Sequence, residues 1–304
     1  MNETEEVFFN EQSFWYLAIS FTENIVAILL NAFVIVVYAS SKELKTLSSN
    51  RLFASLAFVD LCTAKCFLLK ITLQPVYEPP SNIFGELYCR LIYSTFVMWA
   101  FISCSWFHVI LITLDRFIAV VYPYHFRRFN ELKKLHVALL VFAYFLGVIS
   151  TWFNLFLATH DNNESCKFLL PTWSHYRKTY YLVAYSLYCL LVTLAISVMY
   201  SAVIWKIIFN TSIANSKSAK SQQKITILCV ILIAEFLICS YPNTVYVLLY
   251  MTQLVFETNW QFSFNSTFYS FTIQMVNASS IINPLIYMLC NSTFQKTTKK
   301  MFHF

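Results

Sequence analysis

The chain has 304 residues, 58% of them hydrophobic and only 12% charged, with a formal net charge of +6. A soluble domain carries about 25% charged residues, so this composition excludes an ordinary soluble protein and indicates a chain solvated by lipid. The positive balance does not indicate a nucleic-acid partner, because the basic residues sit in short loops between apolar runs and form no stripe on a polar surface.

Seven apolar runs follow one another, near residues 14–39, 50–73, 87–121, 135–158, 180–209, 225–251 and 262–290. A hydrocarbon core ~30 Å thick takes about 20 helical residues to cross, and each run is long enough. Lipid offers no partner to backbone N–H and C=O groups, so each span is expected to be a helix. The expected fold is an all-α membrane protein. It has an outer N-terminus (1–13), a seven-transmembrane helix bundle (14–290) and a short amphipathic C-terminal helix (291–304).

The loops set the orientation. Lys42, Lys45 and Arg51 follow the first run, Arg127, Arg128, Lys133 and Lys134 the third, and Lys206, Lys217, Lys220 and Lys224 the fifth. The opposite loops are acidic, with Glu3, Glu5, Glu6, Glu11, Glu78, Glu86, Asp161, Glu164 and Glu257. The positive-inside rule therefore places the N-terminus outside and the C-terminus in the cytoplasm, as in a multi-pass plasma-membrane protein. The first residues are acidic and the first run is long, so that run is expected to stay in the bilayer as an anchor. Asn2 and Asn163 head glycosylation sequons on the outer side. Of nine cysteines, only Cys89 and Cys166 lie on the oxidising side, placed to tie an outer loop over the bundle.

Several residues do not belong in lipid. Asn31 in the first run, Asp60 in the second, Ser105 in the third, and Gln274, Asn277, Ser279, Ser280 and Asn283 in the seventh fall inside the spans. Polar groups there are costly unless paired, so this stripe reads either as a hydrogen-bond cluster or as a hydrated cavity able to hold a cation. Asp115 and Arg116 close the inner end of the third run, where an interfacial ion pair and a functional pair are both open readings. Pro242 and Pro284 interrupt the sixth and seventh runs, and each removes a helix hydrogen bond. Lys70 is expected to snorkel, Glu23 is a plausible partner for the deeper Lys65, and Glu235 has no evident partner.

Taken in order, Asn31 in LLNAFVI, LAFVD ending at Asp60, FGELYC ending at Cys89, LDRFIAVVYP from Leu114, FLICSYP ending at Pro242 and NPLIY from Asn283 cover nearly the whole chain. This set resembles the rhodopsin-like (class A) G-protein-coupled receptors. The resemblance implies a two-state bundle that binds an extracellular ligand and activates a heterotrimeric G protein. It makes Asp115, Arg116, Tyr200, Asn283, Pro284 and Tyr287 the coupling and activation switch, and Phe236, Ser240 and Pro242 the hinge region of span six. It also implies a sodium site at Asp60, Ser105, Ser280 and Asn283. The tail, with Phe294, Lys296, Lys299 and Lys300, reads as a helix on the inner leaflet, drawn to anionic membrane lipid. Arrestin is a further implied partner, with the serines of the third inner loop as its handle.

Departures from the family pattern bear on function. Ser240 stands where the family usually has Trp, Val192 where a proline is common, and the stretch from Cys89 to Arg116 is about two residues long, so the outer half of span three is expected to bulge. Gln222 and Gln223 stand where some relatives place an acid to latch Arg116, which implies a weak latch. Met98 replaces the aspartate of amine receptors and Asn277 the retinal lysine of opsins, so neither an amine nor retinal is expected. Met98, Trp99, Tyr185, Tyr246 and Asn277 mark the expected ligand pocket, with Tyr77, Phe268 and Phe271 among its aromatics. The acidic outer loops favour a cationic ligand such as a basic peptide. A transporter or channel is the alternative, but it would want matching broken helices in two halves, and the chain has only two glycines. No HExxH or similar cluster supports an enzyme.

Overall fold

The computed structural model describes residues 14–46, 48–73, 79–122, 124–126, 132–161, 165–209, 217–264 and 266–302. Asn2 and Asn163, Tyr77, and the side chains of Tyr200, Gln222 and Gln223 lie outside the described residues. Span one is Phe14–Ser40, span two Ser48–Leu73, span four Lys133–Ser150, span five His175–Phe209, span six Lys217–Phe256 and span seven Thr267–Cys290. Among the described residues, six helical segments are each long and apolar enough to cross a membrane on their own. The seventh crossing bends by 86° past Leu289 into the tail helix, Ser292–Met301. Span three is the axis of the bundle, packing on spans two, four, five and six, while span one packs on spans two and seven.

Span three is composite. A short helix, Ile83–Tyr88, passes into a π-turn, Cys89–Tyr93, and only then into the long helix Phe96–Val121. Asn82 caps the first piece, its Oδ1 accepting from the backbone N–H of Phe84 at 2.9 Å and of Gly85 at 3.3 Å. Thr95 sits at φ 63°, a left-handed conformation that a β-branched residue adopts only under constraint. The extra length after Cys89 is thus absorbed as a bulge, and π-turns of this kind cluster at functional sites.

Span four differs from its expected extent. It ends at Ser150, continues as a 3₁₀ turn, Trp152–Phe156, and enters a hairpin of β1 (Ala158–Asp161) and β2 (Ser165–Phe168), paired antiparallel with His160 opposite Cys166. The fold is therefore all-α in its membrane part, with one small sheet outside. Cys89 and Cys166 are joined by a disulfide, which fastens this hairpin to span three. Glu86 docks it a second time, accepting from the backbone N–H of His160 at 2.7 Å, from Thr159 Oγ1 at 3.2 Å and from Arg90 Nε at 2.5 Å.

The two glycines mark close approaches. A Cβ on Gly147 would stand 2.3 Å from Cys104 Sγ and 2.7 Å from the Cys104 backbone nitrogen, so spans three and four touch backbone to backbone there. A Cβ on Gly85 would stand 2.0 Å from the Pro80 carbonyl oxygen. The tail helix is capped by Asn291, whose Oδ1 accepts from the Phe294 N–H at 3.0 Å. Phe294 is buried against Phe33 and Tyr287, which anchors the tail beneath spans one and seven.

Candidate functional site: a polar axis from an outer pocket to an inner ion pair

At the inner end of span three, Arg116 Nε donates to Asp115 Oδ2 at 3.0 Å, and a second guanidinium nitrogen contacts the same oxygen. Both residues are buried, and the guanidinium lies 5.6 Å from the centre of the Phe126 ring. Here the carboxylate holds an always-charged group that would otherwise be stranded in an apolar setting. Tyr287 turns away from this pair. Its hydroxyl reaches Asn50 Oδ1 at 3.5 Å, and its ring packs on Phe53 and Phe294.

One layer outward lies the polar core. Asp60 accepts from Ser105 Oγ at 3.0 Å and from Asn283 Nδ2 at 2.9 Å. Beside it is a cavity of about 10 Å³, room for one water-sized occupant, lined by Asn31, Asp60, Asn283, Pro284 and apolar neighbours. The Oδ1 atoms of Asn283 and Asn31 are buried without a hydrogen-bond partner. A carboxylate, a hydroxyl and spare amide oxygens form the donor set that a hard cation prefers, so the residues fit sodium.

Ser280 meets the polar core through its backbone. Pro284 has no N–H, so the Ser280 carbonyl one turn earlier loses its helical partner. Asn31 supplies the missing donor from span one, with Nδ2 to Ser280 O at 2.7 Å and to Ala27 O at 2.8 Å. This contact through the Ser280 backbone joins spans one and seven.

Phe236 in span six meets Trp106 of span three edge to face at 5.7 Å between ring centres, and Trp106 stacks on Tyr188 of span five. Ser240 is buried one turn beyond Phe236, and Pro242 interrupts the same helix. Ser240 carries no aromatic bulk, and Phe236 finds its aromatic partner on span three. Sequence reasoning passed over Trp106. The available signal was the combination of a small residue at Ser240 with an extra Trp on the facing helix.

The outer pocket, about 110 Å³, is lined by Trp99, Tyr185, Tyr181, Tyr188, Trp106, Tyr269 and Phe264, with Lys70 as its basic residue. No Asp or Glu is among the described lining residues. The hairpin residue Phe168 and span-five Tyr181 connect it to the outer cluster around Met251.

The sequence of the family described as "7 transmembrane receptor (rhodopsin family)" matches residues 30–287. The chain belongs to this family. Among its relatives, the galanin receptor 2a of Danio rerio is 25% identical over 284 residues, covering 90% of this chain and 73% of that protein. The allatostatin-A receptor of Bombyx mori is 24% identical over 300 residues, covering 92% and 77%. The somatostatin receptor type 1 of Rattus norvegicus is 26% identical over 282 residues, covering 89% and 67%.

Within this rhodopsin-family receptor, a multi-pass membrane protein, the pocket lining differs from the sequence expectation at Met98, Asn277, Tyr246, Phe268 and Phe271. Trp99 and Tyr185 line it, but Met98 is packed in the core with Phe67, Ile102 and Phe236. Asn277 lies deeper, donating to Glu23 Oε2 of span one at 3.2 Å. Glu23 is thereby engaged away from Lys65, which is exposed on the outside of span two. Tyr246 is a clasp: its hydroxyl donates to the Ser263 carbonyl at 2.6 Å and meets Ser266 Oγ at 2.6 Å, tying span six to the start of span seven. Phe268 and Phe271 face outward at 59% and 56% exposure, towards lipid rather than ligand. Glu235 is buried beside Ser279 and Cys239, yet neither carboxyl oxygen closes a hydrogen bond.

Proposed function

We propose that this receptor binds an extracellular peptide at its outer pocket and activates a heterotrimeric G protein through the inner face. The observation that carries the reading is the buried Asp115–Arg116 pair at the cytoplasmic end of the central span. A polar axis runs outward from it through Asp60 and Asn283 towards Phe236 and Trp106. Release of Arg116 on opening of span six would present up to five N–H donors to an inserted partner. Tyr200 and Tyr287 would stabilise the opened inner face. A ligand and a G protein that prefer the same packing raise each other's affinity by linkage, with no chemistry performed.

The relatives named for galanin, allatostatin-A and somatostatin favour a peptide ligand over an amine. The burial of Met98 where amine receptors carry an acid agrees with this. Asp60, Ser105 and Asn283 would hold a sodium ion. Bound there, it supplies a positive charge that favours the closed packing.

The test is guanine-nucleotide exchange in liposomes carrying purified receptor and a panel of G-protein subtypes, screened against peptide libraries. Wild type should accelerate exchange on at least one subtype and Arg116→Leu should not. Ion flux through the same liposomes without nucleotide exchange would support a channel or transporter instead.

A further inference from the structure

Among the described residues, spans four and five each pack closely on span three and make at most sparse backbone approaches to each other, with Phe153 and Tyr181 in ring contact at 4.5 Å. Between them lies a second cavity of about 530 Å³, larger than the outer pocket and within the range of small-molecule sites. Its walls are Ile149 and Phe156 on the span-four side and Tyr180 and Ala184 on the span-five side. It shares Ser150, Phe153, Tyr181, Tyr185 and Tyr188 with the outer pocket, so the two spaces are neighbours through a common aromatic wall.

We infer that this slot binds a single-chain anionic lipid, with its head at Arg177 and its chain running down between spans four and five. Three observations support the assignment. The slot opens sideways: Ile149, Phe156 and Tyr180 are exposed on the lipid-facing side of the outer half of the bundle. Aromatic belts occur at this depth in many membrane proteins, but a belt alone does not leave a cavity of about 530 Å³ between two neighbouring helices. Its charge is one-sided, because the described lining has Arg90 and Arg177 and no Asp or Glu. Arg90 is already paired with Glu86, whereas Arg177 is exposed in the first turn of span five and makes no ion pair among the described residues. Its depth fits one leaflet. From Arg177 to Tyr188 the helix descends about 16 Å, against about 15 Å for half of the hydrocarbon core.

A guanidinium at headgroup level above an apolar channel matches one anionic head and one acyl chain. A two-chain lipid would need a second channel. The occupant touches Tyr181, Tyr185 and Tyr188, so it would also reshape the wall of the outer pocket. The inference does not depend on which agonist that pocket takes.

The test uses full-length receptor in nanodiscs and a photoreactive long-chain carboxylate. Cross-links should map to residues 149–156 and 173–188. An excess of unmodified long-chain carboxylate, or of a single-chain phosphate, should compete, and the stronger competitor identifies the preferred head. Ala184→Phe fills the slot without touching the outer pocket and should cut labelling about ten-fold. Arg177→Gln removes one charge-assisted contact and should weaken competition by about ten-fold. If Ala184→Phe does not yield folded receptor, Ile149→Trp narrows the slot from the opposite wall with the same expected loss. Equal competition by the methyl ester, labelling spread evenly over other spans, or labelling unchanged by the slot-filling variant would overturn the inference.

Discussion

The Asn31–Ser280 contact lends itself to a quantitative test of how the spans are held together. Asn31→Ala removes a fully buried amide that donates to two carbonyls, Ala27 O and Ser280 O. Ala27 lies one turn before Asn31 in the same helix, so the backbone N–H of residue 31 still serves its oxygen. The Ser280 oxygen has no such reserve, because Pro284 cannot donate. An interhelical hydrogen bond in a membrane averages about 0.6 kcal/mol. An orphaned buried carbonyl costs about 1–3 kcal/mol. The second situation is the one created here, so the expected loss is about 1.5 kcal/mol. Pro284→Ala restores an N–H that can reach Ser280 O. In the wild-type background that oxygen is already satisfied, and little stability should be gained. In the Asn31→Ala background the same change should recover about 1 kcal/mol, a coupling that a double-mutant cycle resolves. The assay is reversible unfolding in mixed micelles with all four variants. Strict additivity of the two substitutions would refute the reasoning, because the orphaned oxygen would then not be the source of the loss.

Three further outcomes follow from the same geometry. Asp115→Asn strands the Arg116 guanidinium in the closed packing, where breaking one side of a buried pair costs about 3–5 kcal/mol. Ligand-free nucleotide exchange should therefore rise severalfold, and exchange equal to wild type would count against the pair as a resting latch. Trp106→Ala should cost about 3–5 kcal/mol of stability. Ser240→Trp lies one turn from Phe236 on the same face and should recover part of that loss in the Trp106→Ala background, while alone it overpacks by about 1–3 kcal/mol. A thermal-melt series that shows no rescue would sink the idea that Trp106 supplies the missing bulk. Gly147→Ala should destabilise by about 1–3 kcal/mol by parting spans three and four. Cys104→Ala should not relieve it, since the Cys104 backbone nitrogen would still lie 2.7 Å from the new Cβ; full relief in melts of the double variant would show that the sulfur alone was the obstacle.

Long apolar runs, loop charges and the ordered landmarks from Asn31 to Tyr287 were enough to establish the membrane, the orientation, the number of crossings and the family. These features are written locally, because bilayer thickness and backbone hydrogen bonding act on one segment at a time. The disulfide was legible as well, since compartment narrowed nine cysteines to Cys89 and Cys166. The tertiary structure alone decided which side chains meet. Trp99, not Met98, lines the outer pocket, and Met98 packs in the core. A proline in span seven drew Asn31 across from span one, and Trp106 met Phe236 edge to face. Glu23 chose Asn277 over Lys65 because only the first lies on the inward face. Each of these depends on helix rotation and register between segments far apart in the chain, and no one segment carries that information.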